Sequence, residues 1–194
     1  MYWASRRVKE RRDVLAISPA ARAAALTLLD AALNAGLSVS FDPNLRLNLW
    51  PDRDEMRGVI NTVAGRATVV MPGLAEGQLL TGGSKPDDIA QFYLRRGAHE
   101  VVIKLGAQGA RGWTGDGQTA ESRSFAVTPI DTVGAGDGFA AGYLAAFLAG
   151  ASLQARVDQG AAVGAVVTTR RGDLAAMPTR AEVDELLAQP TVPT

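Results

Sequence analysis

The sequence predicts an α/β fold built on a mostly parallel sheet with helices on both faces. Three observations carry that prediction. Short apolar segments alternate with longer segments of helical composition, which is the pattern of strands joined by right-handed helical crossovers. Polar motifs follow three of the apolar segments directly, after Phe41, after Met71 and after Val101 to Lys104. In open α/β sheets ligands bind at the carboxyl ends of the strands, so these positions form a coherent site. Finally, a glycine-spaced stretch interrupts the alternation late in the chain, as an antiparallel addition to a parallel sheet would.

The elements follow in order. Ser18-Pro19 opens a helix, with Ser as N-cap and Pro in the first turn. The Ala- and Leu-rich run Ala20 to Ala35 continues it, and Gly36 closes it. Leu37 to Phe41 reads as a strand. A polar loop, Asp42-Pro-Asn-Leu-Arg46, extends to Trp50-Pro51. Asp54 to Arg66 is a helix and Ala67 to Met71 a short buried strand. Pro72-Gly73 turns the chain into a helix through Leu80, ended by Gly82-Gly83. Pro86 to Arg96 is a further helix stopped by Gly97, and Glu100 to Lys104 another buried strand. Gly106, Gly109, Gly112, Gly115 and Gly117 then fall close together, and Asp116-Gly117 is a hairpin turn signal. Two or three short antiparallel strands are expected between Ala110 and Val127. Three helices complete the chain: Gly134 to Ala149, Leu153 to Thr168 and Thr179 to Ala188. The tail from Gln189 to Thr194 is expected to fray.

Composition narrows the chemistry. The chain has 194 residues, 47% hydrophobic and 21% charged, enough to bury a core without staples. It has no cysteine, which excludes disulfides, thiolate metal sites and Cys nucleophiles. Its one histidine, His99, sits in a polar link and reads as a solvated loop residue. Lys plus Arg and Asp plus Glu number 20 each, so the basic excess of a nucleic-acid binder is absent. The basic cluster Arg6, Arg7, Lys9, Arg11 and Arg12 reads as a solvated N-terminal face or a frayed end. No apolar run reaches the ~20 residues of a membrane span, and the N-terminus lacks the apolar stretch of a secretory signal. The expected compartment is cytoplasmic.

The segment Asp131-Thr-Val-Gly-Ala-Gly-Asp137-Gly-Phe-Ala-Ala-Gly142 carries most information. Gly134, Ala135 and Gly136 are small residues at a helix start. Their backbone N–H groups lack helical partners and face the positive end of the helix dipole. With no side chains in the way, a phosphate can approach closely, so the segment reads as an anion hole. Asp137 lies in the same turn. It is either a dipole-stabilising acid or a base that takes a proton from an attacking hydroxyl beside a transferred phosphoryl group. Spacing alone leaves both readings open. A dinucleotide-binding turn fits poorly, because Phe139 occupies the third glycine position and no strand directly precedes the turn. No Walker A sequence occurs.

The stretch from Asp131 to Leu144 resembles the C-terminal signature of the PfkB carbohydrate kinases, Asp-Thr-x-Gly-Ala-Gly-Asp before a small-residue helix. Lys104-Leu-Gly-Ala-Gln-Gly-Ala110 is similar to the family's loop over the ATP phosphates. Glu76 resembles the glutamate of its Asn-x-x-Glu motif. Phe41-Asp-Pro-Asn-Leu-Arg46 with Trp50, and Pro72-Gly-Leu-Ala-Glu-Gly-Gln-Leu-Leu-Thr81, resemble the 2-keto-3-deoxygluconate kinase branch. The resemblance runs from about Asp13 to Leu187.

It implies a ribokinase-like fold and ATP-dependent phosphorylation of a sugar hydroxymethyl group with Mg2+. By position, Asp137 would be the base and contact the sugar, and Gly134, Ala135 and Gly136 the anion hole. Lys104, Gly106, Gln108, Gly109 and Asn44 would contact ATP. Arg46 and Asp173 would contact the substrate, and Glu76 would serve the metal indirectly. An arginine suits a keto-deoxy acid, since its fork pairs bidentately with a carboxylate. The bland alternatives are a surface salt bridge for Arg46, a turn residue for Asp173 and a helix-surface residue for Glu76.

Two departures stand out. Gly73 occupies the Asn position of Asn-x-x-Glu. The family's N-terminal third, with its first Gly-Gly signature, several strands and a lid, has no counterpart in Met1 to Arg12. The expected organisation is an atypical segment at 1–12, a ribokinase-like ATP-binding and catalytic core at 13–188, and a tail at 189–194. A sheet lacking those strands and lid would leave an edge and an apolar face uncovered. Self-association as a homo-oligomer, or a record of part of a longer protein, is expected. The functional expectation is a kinase for 2-keto-3-deoxygluconate, binding a small-molecule sugar acid and ATP, with no nucleic acid or membrane partner. The alternatives are a kinase for another sugar or a nucleoside, and a catalytically silent nucleotide-binding fragment.

Overall fold

The computed structural model describes residues 14–122, 125–172 and 175–189. The elements run α1 (Val14–Ile17), α2 (Pro19–Asn34), β1 (Ser40–Phe41), α3 (Arg53–Ala64), β2 (Val69–Val70), α4 (Leu74–Thr81), α5 (Pro86–Leu94), β3 (Glu100–Lys104), β4 (Ala110–Thr114), β5 (Thr119–Glu121), α6 (Ala135–Leu148), α7 (Leu153–Thr168) and α8 (Arg180–Ala188). The strands form a five-stranded sheet in chain order. β1, β2 and β3 pair in parallel, and β4 pairs antiparallel with β5. The alternation in the sequence is therefore realised as crossovers, and the glycine-spaced stretch as a hairpin. Arg111 pairs with Glu121 and Trp113 with Thr119 around the Asp116-Gly117 turn. Two antiparallel strands form among the described residues, the lower of the two numbers expected.

The chain divides into two compact units, with the boundary inside β3 between Val101 and Val102. In the first, Ser18 caps α2 by accepting from the Ala21 N–H at 3.1 Å. Asp52 does the same for α3, accepting from Asp54 at 2.7 Å. Met56, Ile60 and Val63 recur at helical spacing on α3 and bury with Leu15, Leu29, Trp50 and Leu80. Each such side chain taken from water contributes about 1.5–3 kcal/mol. β1 and β2 are shorter than the expected strands at Leu37 to Phe41 and Ala67 to Met71. The Val39 N–H donates to the Thr68 hydroxyl at 3.0 Å, while the Val39 carbonyl accepts from both Thr68 and Val69. A side chain thus replaces a ladder bond at the strand entrance. α5 ends at Leu94, two residues early, where the chain turns through Gly97 at φ +109°.

In the second unit α6 and α7 pack very closely. A Cβ on Gly142 would stand 2.7 Å from Val163 Cγ2 and 2.8 Å from the Gln159 carbonyl. The Gln159 amide donates to the Gly142 carbonyl at 3.1 Å. α8 closes the other side of α7, with Val183 and Leu186 burying against the cluster of Ala162, Val163, Val166 and Val167. The Thr168 carbonyl at the end of α7 accepts from the N–H groups of Ile130 and Asp131 at 2.7 and 3.1 Å. That contact fixes the chain just before α6 begins.

Candidate active site

In the second unit the predicted residues gather at the start of α6. Gly134 is the N-cap, at φ +87°, a left-handed conformation natural to glycine. It brings no side chain to satisfy the first-turn amides. The Ala135 N–H makes a long turn bond to the Thr132 carbonyl at 3.3 Å, and the Gly138 N–H closes the first helical bond to Gly134 at 2.8 Å. The N–H groups of Gly136 and Asp137 have no hydrogen-bond acceptor among the described residues. Lys104, at the end of β3, places its Nζ 3.6 Å from the point where a Gly136 Cβ would lie. One predicted nucleotide contact therefore stands against the predicted anion hole.

Gly106 and Gly109, at φ +64° and +83°, shape the loop after β3. The Leu105 N–H closes that loop on the Gly109 carbonyl at 2.8 Å, leaving Gln108 exposed. Asp137 is exposed in the first turn of α6 and makes no hydrogen bond or ion pair among the described residues. A carboxylate so placed is available to accept a proton. Asp173 lies outside the described residues, as do Met1 to Arg12 and the tail beyond Gln189.

In the first unit Asn44, Arg46 and Glu76 are organised by a carboxylate. Glu76 Oε1 accepts from the Leu45 N–H at 2.7 Å, and Oε2 accepts from the Gly73 N–H at 2.8 Å. The side chain thus ties the loop after β1 to the start of α4. Asn44 holds φ +41°, the one positive value of a non-glycine residue among those described, and Asn tolerates it better than most types. Arg46 is half-buried, with its guanidinium on the Leu45 carbonyl at 3.1 Å and no ion pair among the described residues. Gly73 has a local reason: a Cβ there would lie 3.3 Å from Glu76 Oε2. Burial, reinforced by the Glu76 charge, pushes the Tyr93 phenol well above its ordinary range. Its hydroxyl donates to Asn61 Oδ1 at 3.0 Å. His99 is exposed, and among the described residues no group of three or more acidic or His side chains could hold a metal.

The sequence reading missed the Leu45–Glu76 bond and the Thr168 anchor. Both use backbone groups, which no residue type announces, and the first spans 31 positions.

The sequence matches the pfkB family of carbohydrate kinases over residues 8–180. The chain belongs to this family. It is 46% identical over 160 residues to 2-dehydro-3-deoxygluconokinase of Bacillus subtilis, covering 82% of this chain and 49% of that protein. Among solved structures it resembles a PfkB protein from Polaromonas sp., with TM-score 0.76 and 42% identity over 88% of this chain and 54% of that one. A fructokinase from Vibrio cholerae, determined with fructose, ADP and calcium ion bound, superposes with TM-score 0.79 at 31% identity, over 90% of this chain and 58% of the other. These likenesses establish the ribokinase-like fold. The chain spans about half the length of the curated relatives it matches. Among the described residues no helix is long and apolar enough to cross a membrane.

Proposed function

We propose that this chain carries the nucleotide-binding and catalytic part of an ATP-dependent sugar-acid kinase acting on 2-keto-3-deoxygluconate. One observation carries the reading: the first turn of α6 holds open amides and an Asp137 carboxylate with no hydrogen bond or ion pair among the described residues, and the Lys104 ammonium at the end of β3 lies beside that turn. The amides and the ammonium would hold the γ-phosphoryl group and stabilise its developing charge. Asp137 takes the proton of the sugar hydroxymethyl group as that oxygen bonds to the γ-phosphorus. The bond from phosphorus to the bridging oxygen breaks, and ADP leaves with the electron pair. Lys104, Gly106, Gln108, Gly109 and Asn44 serve ATP, and Arg46 and Asp173 the sugar.

Mg2+, when bound, neutralises phosphate charge. Among the described residues no cage of carboxylates forms, which suits an ion that keeps several waters and leans on substrate phosphates. Glu76 would act on it through the loops it ties together. The half-buried Arg46, with no acidic partner among the described residues, supports a substrate carrying a carboxylate. So does the likeness to the B. subtilis relative.

A coupled ADP-release assay tests the reading, with ATP, Mg2+ and 2-keto-3-deoxygluconate beside gluconate, ribose and fructose. Release dependent on the keto-deoxy acid is expected. Release with fructose or ribose alone would replace the substrate. Because the chain spans about half of its relatives, a second reading is a nucleotide-binding part silent in isolation. ATP binding by calorimetry with no release for any sugar would favour it.

A further inference from the structure

We propose that the first unit carries a second anion site, a depression that takes a small multiply charged oxyanion. The depression is open to solvent and has a volume of about 450 Å3. Arg57, Arg66 and Arg96 line it with Gly58, Asn61, Thr62 and Gly65, and no carboxylate is among the described residues of its wall. It stands at the entrance end of the parallel strands: Arg66 precedes β2 and Arg96 precedes β3. Asn44, Arg46 and Glu76 follow the opposite ends of β1 and β2, so none of them lines this cavity.

Three like charges around one concavity repel one another unless something negative joins them. The carboxylates nearby do so from outside and weakly. Arg66 pairs with Asp30, and Arg57 with Asp54 at 3.1 Å, both on exposed side chains. Each guanidinium has five N–H donors, and these pairs occupy few of them. Arg57 is oriented by its Nε bond to the Leu79 carbonyl at 2.9 Å. Arg96 stands over the Phe92 ring, its Cζ 3.5 Å from the ring centroid, and its guanidinium's one hydrogen bond among the described residues, to the Phe92 carbonyl, is long at 3.4 Å. It has no ion pair among the described residues. The neutral lining groups are already engaged, Asn61 with Tyr93 and Leu80, and Thr62 with Gly58. What remains on offer is guanidinium forks, which match oxyanions bidentately. The fitting ligand is compact and doubly charged or more, with the charge on phosphate or on clustered carboxylates.

Calorimetry with inorganic phosphate and, separately, citrate tests the site. A Cβ on Gly58 would meet nothing within 4 Å, and the residue lies inside α3, where any ordinary residue improves helix propensity. Gly58→Glu therefore keeps the fold while placing a carboxylate among the arginines, and Gly58→Ala is its neutral control. The expected result is a binding event kept by Gly58→Ala and weakened about tenfold or more by Gly58→Glu and by Arg96→Gln. Phosphate alone producing that event assigns a phosphate ligand, and citrate alone a polycarboxylate. Binding of both anions unchanged in Gly58→Glu, or no binding of either to the wild-type chain, overturns the proposal.

Discussion

The start of α6 and the loop after β1 solve opposite problems. At α6 the useful feature is what is missing: Gly134 and Gly136 expose backbone donors, and Asp137 stands with its carboxylate uncommitted. After β1 the useful feature is a commitment. Both oxygens of Glu76 are taken by backbone N–H groups, at 2.7 and 2.8 Å, and the loop bearing Asn44 and Arg46 is shaped as a result. On the proposed function one region keeps its charge for a reaction, while the other uses its charge to build. Mutation should therefore separate activity from stability in the two places.

The largest effect is expected at Asp137. Asp137→Asn keeps the size of the side chain and removes the proposed base, so turnover should fall by 10²–10⁴, equivalent to about 3–5 kcal/mol in the barrier. ATP affinity and melting temperature should stay near wild type, because Asp137 makes no hydrogen bond or ion pair among the described residues. Steady-state kinetics with a thermal melt checks both halves. Unchanged turnover removes Asp137 as the base, and a large drop in melting temperature would give it the building role assigned here to Glu76.

Glu76→Gln is expected to show the reverse pattern. The amide can accept one of the two N–H groups, but its NH2 then faces the other and leaves a donor unsatisfied. The cost of such a group is about 1–3 kcal/mol, which for a domain of this size lowers the melting temperature by roughly 2–10 °C. Trypsin cleavage after Arg46 should quicken as the loop loosens. A variant that melts like wild type but loses Mg2+-dependent turnover would return Glu76 to the metal, as the resemblance first implied.

The contrast also explains what could be read in advance. The α6 start was legible because it is a local pattern: small residues, an acid and a helix within one turn. The strands were legible as apolar runs, though their ends were not, since the Thr68 hydroxyl takes the Val39 N–H. The Glu76 tie was not legible as such. Its partner is a backbone amide 31 positions away, and leucine at position 45 says nothing about what its amide will do. The left-handed Asn44 is of the same kind, because Asn permits that conformation without requiring it. The arginines of the depression come from α3, the link before β2 and the turn between α5 and β3. Only folding brings them together.

The smallest expected effect tests whether the α6 region depends on structure built behind it. α8 opens with a capping box in which Glu182 accepts from the Thr179 N–H at 2.7 Å, and the same carboxylate pairs with Arg170 just after α7. The Arg170 guanidinium, helped by Thr179, lowers the Glu182 carboxyl from 4.5 to about 2. A lowered folded-state value means that the contribution to stability is whole above about pH 4.5 and disappears as pH falls towards 2. The pair lies at the surface, with 36% of the Glu182 side chain exposed, so solvent keeps the contribution small. Its position gives it reach, because α7 ends on the Thr168 carbonyl that fixes Ile130 and Asp131 ahead of the α6 turn. Melting temperature followed from pH 7 to pH 2.5 should fall less steeply in Glu182→Gln than in wild type, with the two curves converging at the acid end. Parallel curves would mean that Glu182 contributes no pH-dependent stability. Hydrogen exchange at Ile130 and Asp131, faster in the variant at pH 7, would connect the pair to the turn that carries Asp137. Unchanged exchange there would show that the turn stands on the α6–α7 packing alone.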